Sequence, residues 1–140
     1  MGAAWNEPAS ALLERGAPGW AGLCALLDAA SHGALTLSLA VPLGAGVDLT
    51  FAAIELGEAR EELTWSRRRP SSDATSRLGP LHVRDDLGEA LQIIEHLVDV
   101  AIDRTLTLDD DEATPDDLDC LGKVLRKLHN ARQELASAVA

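Results

Sequence analysis

Between Ala17 and Ile54 the chain carries only two charged side chains, Asp28 and Asp48, and from Ala29 to Val47 it has no Asp, Glu, Lys or Arg. The C-terminal half is densely charged. This asymmetry constrains the fold more than any motif does, because a helix that is apolar all round must be covered all round. A membrane span wants about 20 strongly apolar residues. Here Ser31, His32, Gly33, Thr36, Ser38, Pro42, Gly44 and Gly46 interrupt the run. A buried core segment is the better reading, and no membrane contact is expected.

The spacing of the apolar residues then predicts helices. Asn6 is placed to cap a short helix, with Pro8 in its first turn and Gly16 past its end. A second helix begins near Trp20, with Leu23, Leu27, Ala30, Ala34, Leu37 and Val41 at four–three spacing. Pro42 stops it. From Asp48, read as an N-cap, the stripe is Leu49, Ala52, Leu56, Ala59 and Leu63, and Pro70 ends that helix. A helix from about Asp85 to Leu106 buries Leu87, Ala90, Leu91, Ile94, Leu97, Val98, Ala101 and Thr105. The last, from Pro115 to about Ala138, uses Leu118, Leu121, Val124, Leu125, Leu128, Ala131, Arg132 and Leu135. Residues 70–83 lack an apolar period and read as an exposed loop.

Helices of similar length suit an antiparallel four-helix bundle, here all-α with a short N-terminal helix. One rival fold competes. Leu35, Leu37, Leu39, Val41 and Leu43 alternate with smaller or polar residues, as do Val47, Leu49 and Phe51 after "GAG". That is a β-hairpin pattern over about 34–56, in an α+β fold. The Ala, Leu and Glu content of "FAAIELGEAREEL" argues for helix instead.

With 140 residues, 46% of them apolar, the chain reads as one ordered domain over 1–140. Its formal charge of −11 disfavours nucleic acid, whose phosphates call for a surplus of Lys and Arg. Cys24 and Cys120 form no C-x-x-C pair, so zinc-knuckle and thioredoxin-like motifs are absent, and a reducing, cytoplasmic setting is expected. The opening "MGAAWNEPAS" has no basic region followed by an apolar run, so no signal peptide is expected.

Seven carboxylates crowd "TLDDDEATPDDLD", Thr107 to Asp119. An EF-hand loop needs Gly at position 6 and an oxygen ligand at position 12. Counting from Asp109 gives Thr114 and Cys120, and starts at Asp110 or Asp111 also fail. A helix start fits better, with Thr114 as N-cap, Pro115 at N1 and Asp117 at N3 closing a capping box. Asp109, Asp110, Asp111 and Glu112 are left without that role and are a candidate docking patch for a basic partner. The main cationic feature is Arg67, Arg68 and Arg69, which follow Trp65. They compensate a helix C-terminus or contact an acidic partner. Arg132 interrupts an apolar stripe and calls for a carboxylate across the bundle, such as Asp103.

His96, Asp99 and Asp103 share one helical face, a weak candidate for a divalent metal. Glu-x-x-His, the di-iron bundle signature, is missing, and the face reads as an ordinary polar one. His129 lies on the polar side of the last helix without a supporting motif. There is no nucleophile elbow, dinucleotide fingerprint or P-loop. No enzyme and no cofactor are therefore expected. The leading expectation is a non-enzymatic interaction or regulatory protein. It would dimerise with itself or dock a protein partner through its apolar N-terminal half. The alternatives are a bundle that binds a small apolar ligand or a divalent metal, and an acidic chaperone or inhibitor of a basic protein.

Overall fold

A computed structural model describes residues 5–15, 19–65, 78–81, 86–108 and 114–139. They form α1 (Asn6–Arg15), α2 (Gly19–Ser38), α3 (Leu43–Thr64), α4 (Leu87–Thr107) and α5 (Pro115–Val139). Among the described residues there is no strand, so the all-α bundle is the fold, and the hairpin alternative for residues 34–56 is overturned. The alternation there is real, but α2 runs unbroken through Gly33 to Ser38, and the turn falls at Leu39–Pro42 rather than at the later glycines.

Around the bundle the order is α2, α3, α5, α4, with α1 laid against α4. Contacts between the helices fix their directions. Asp28 meets Arg60, Ser31 meets Ala53, and the backbone of Ser38 meets Gly46, so α2 and α3 are antiparallel. Cys120 meets Glu62 and Lys127 meets Glu55, so α3 and α5 are antiparallel as well. The core is made of Leu23, Leu27, Leu37, Leu49, Leu56, Leu63, Ile94, Leu97, Leu128 and Leu135, all fully buried. Each came from a predicted stripe.

The helix ends show local chemistry. Asp86 caps α4 by accepting from the Glu89 N–H at 3.1 Å. At α5 the capping box is closed in both directions: Asp117 N–H donates to Thr114 Oγ1, and Thr114 N–H donates to Asp117 Oδ2, each at 3.1 Å. Three boundaries differ from expectation. Asp48 is not an N-cap, because α3 begins five residues earlier, with extended Pro42 in the capping position. Proline suits this place, since its missing N–H would have had no helical partner. α3 ends at Thr64, short of Pro70, and Trp65 closes it by donating its N–H to Glu61 O at 3.0 Å. Asn6 lies within α1, whose first turn closes onto Trp5 O, and its side chain donates to Glu89 of α4.

Residues 78–81 are more than the exposed loop expected there. Leu78 is buried against Gly33, where an added Cβ would stand 3.1 Å from its Cδ1. The Gly79 carbonyl accepts from Trp5 Nε1 at 3.0 Å, and Trp5 is fully buried. On α5 the expected stripe is rotated slightly: Leu118 is exposed and Asp117 is buried by its cap role.

Small residues allow α3 to lie close to α2. Gly57 faces Ser31, whose hydroxyl donates to Ala53 O at 2.9 Å. At the tip of the hairpin a Cβ on Gly46 would stand 2.8 Å from the Ser38 carbonyl.

Candidate functional site

Position along α2 and α3 decides which apolar side chains the bundle uses and which it leaves out. On α3 the residues Leu49, Ala52, Leu56 and Ala59 point inward. Leu43, Val47, Phe51 and Ile54 lie on a different stripe of the same helix and remain exposed. Leu35 on α2 and Leu39, the first residue of the turn that follows it, are exposed too. Leu39 and Leu43 are 86% and 84% accessible, an unusual position for two large aliphatic side chains either side of one turn. Leu39, Val41, Leu43, Val47 and Phe51 line a groove of about 460 Å³ at this tip. The only carboxylate in the stretch, Asp48, lies on the α5 flank, where its charge is felt by Glu134.

Below this face, the seam between α2 and α3 holds a buried polar group. The Asp28 carboxylate is 3.3 Å from His32 Nε2 and 3.4 Å from Arg60 Nε. Asp28 is buried, whereas His32 and Arg60 are both partly open to solvent. A carboxylate buried in so apolar a helix requires such partners. Cys24, one turn before Asp28, has its thiol pushed up by burial, which outweighs the opposing effect of Arg60. Cys120 is pushed up to about 11, first by burial and then by Glu62 and Asp117, and its Sγ donates to Glu62 O. Both thiols are therefore protonated at neutral pH, which is the wrong state for a nucleophile.

The α3–α5 seam is acidic. Lys127 lies 3.7 Å from Glu55 and 3.4 Å from Glu58. The carboxyl of Glu134 is pushed up by burial, then by Glu55 and Asp48. A carboxyl with a raised folded value stabilises the fold fully below its ordinary value of 4.5, and loses that contribution as pH rises through the folded value. At neutral pH Glu134 is therefore a net cost. Glu134→Gln is expected to raise the unfolding free energy near pH 7 by about 0.5 kcal/mol, with the gain gone near pH 4. Urea melts at both pH values measure this, and an equal effect at the two would contradict the charge argument.

Of the residues singled out in the sequence, Trp65, His96, Asp99 and Asp103 are among those described. Trp65 caps α3 at the end far from the hairpin tip and is 79% exposed. Arg67, Arg68, Arg69, Asp109, Asp110, Asp111 and Glu112 lie outside the described residues. His96, Asp99 and Asp103 do share the exposed face of α4. Asp99, however, accepts from Arg132 Nε at 2.9 Å, and Glu95 pairs with the same guanidinium. The two carboxylates outweigh the effect of burial and hold Arg132 firmly charged. The expected cross-bundle partner of Arg132 is thus Asp99 and Glu95 rather than Asp103. Among the described residues no three His, Cys, Asp or Glu side chains gather as a metal would need, and no helix is long and apolar enough to cross a membrane.

Sequence reasoning did not single out Leu35, Leu39, Leu43, Val47, Phe51 and Ile54 as contact residues. The signal was the charge-free stretch itself, combined with the spacing 43–47–51–54 beside the core spacing 49–52–56–59. No family model, curated protein or solved structure matches this chain.

Proposed function

We propose that this protein is a non-enzymatic interaction module that works through the outer face of its α2–α3 hairpin. The observation that carries the reading is the exposure of Leu35, Leu39, Leu43, Val47, Phe51 and Ile54 on one face. Monomeric proteins rarely leave a contiguous apolar patch of more than a few hundred Å² in water. Here the six side chains expose on the order of 600 Å², comparable with roughly 800 Å² that one partner contributes to a standard interface. Trp65 and the arginines that follow it, with the acids Asp109–Glu112, offer secondary polar contacts. Under this reading the protein works in the cytoplasm, where Cys24 and Cys120, both free and buried, stay reduced.

The test separates a contact surface from a core. Val47→Glu with Phe51→Glu should leave helix content and thermal midpoint close to those of the parent, because neither side chain fills the bundle interior. The same double variant should abolish whatever this face does, whether self-association or uptake of the apolar dye ANS. Unfolding of the variant would show these residues to be structural and sink the reading.

A further inference from the structure

We infer that the occupant of the α2–α3 face is a second copy of this chain, packed about a two-fold axis that crosses α3 near Leu49. The inference rests on the contact surface proposed above and goes further by naming its partner and geometry. Two observations carry it.

The first is charge. Each copy carries −11, so two copies repel wherever their carboxylates meet. The hairpin face is where that repulsion is smallest, since Asp48 is the only carboxylate between Leu35 and Ile54 and sits on the α5 flank. A cationic protein would look for carboxylates, which this face lacks. An anionic lipid surface would repel so acidic a protein. The stripe Leu43, Val47, Phe51 and Ile54 carries no charge, so packing it against an identical stripe buries none.

The second is spacing. Leu43, Val47, Phe51 and Ile54 follow one another at intervals of four, four and three residues. Reversed, the stripe is still helical, three, four and four, because i+3 and i+4 neighbours share one face. Two such α3 helices can therefore pack antiparallel, with Leu43 of one copy facing Ile54 of the other and Val47 facing Phe51. That is the self-complementarity a two-fold interface demands. Leu35 of α2 and Leu39 then close the rim on either side.

Sedimentation velocity and light scattering on the full chain at micromolar concentration test the inference. The parent protein should run at twice the chain mass of 14.8 kDa. Val47→Glu/Phe51→Glu should weaken dimerisation by about a hundredfold or more, since central apolar contacts dominate such interfaces. Leu118→Glu, at an exposed leucine on α5, should leave the dimer intact. If the hairpin double variant fails to fold, Leu39→Gln/Leu43→Gln, in the solvent-facing turn, supplies the same test. A parent protein that stays monomeric at 100 µM, or a dimer that survives the folded hairpin variants, overturns the inference. Monomeric parent protein that binds ANS, with binding lost in the variants, removes the second copy but keeps the contact surface. Monomeric parent protein without ANS binding removes both.

Discussion

Trp5→Ala is expected to lower the unfolding free energy by about 3–5 kcal/mol, the range for removing a fully buried aromatic side chain. Small domains have about 5–15 kcal/mol in total, so the variant should sit close to the unfolding threshold. Trp5 is completely buried, and its indole N–H donates to Gly79 O at 3.0 Å. One ring therefore joins three parts: the start of α1, the segment 78–81 and the core. α1 is also tied down by Asn6 to Glu89, by Arg104 to the Leu13 carbonyl, and by Ala9, Leu12 and Leu13 packed on the core. Trp5→Phe is the smaller change. It keeps part of the packing but loses the hydrogen bond and the volume of the second ring, so its cost should be about 1–3 kcal/mol, below that of the alanine variant. Urea titrations of the three proteins decide the matter. A loss below about 1 kcal/mol for the alanine variant would show that the ring does not anchor this end of the bundle.

Gly46 and Gly57 should respond in opposite directions to the same substitution. Both lie within α3, where alanine is favoured over glycine by about 1 kcal/mol on propensity alone. At Gly57 a Cβ would meet only Ser31 Oγ, at an ordinary 3.5 Å. Gly57→Ala should therefore be neutral or stabilise slightly. At Gly46 the new Cβ would stand 2.8 Å from the Ser38 carbonyl, a backbone atom that cannot swing aside. Only the turn of Leu39–Pro42 separates the two helices, so relief means moving them apart. Gly46→Ala should therefore cost about 1–3 kcal/mol through overpacking, in spite of the gain in propensity. Equal thermal shifts for the two sites would rule out close helix approach as the reason for the glycine at 46.

Much of the bundle was legible in the sequence because its helices bury regular stripes. The positions 49, 52, 56, 59 and 63 were read from spacing alone, and all are buried. The cap at Thr114–Asp117 was equally legible, since its chemistry is local to four residues. What could not be read depends on neighbours distant in sequence. Trp5 belongs to no stripe, and its burial requires a carbonyl 74 residues away. Leu118 matched the stripe of α5 and is nevertheless exposed, because the buried face there turns toward Asp117, Cys120 and Leu121. Arg132 announced a carboxylate partner, yet the choice of Asp99 and Glu95 over Asp103 follows from how α4 and α5 register. The exposed apolar face was visible as a charge-free stretch, but its individual residues were not. Leu37 and Leu39 look alike in sequence, and only the packing of α2 buries the first and exposes the second.

The order of the helices around the bundle bears on how the chain reaches this state. α2 and α3 are joined by the turn Leu39–Pro42, and α4 and α5 are close in sequence, so the contacts within each pair are local ones, of the kind that close on the microsecond scale. Their union is a different kind of step. α3 and α4 are not neighbours around the bundle, so the α3–α5 and α2–α4 seams join residues far apart in sequence. The α2–α3 hairpin on its own would offer the solvent its inner leucines as well as its outer ones, and it is the closing of those two seams that covers the inner set.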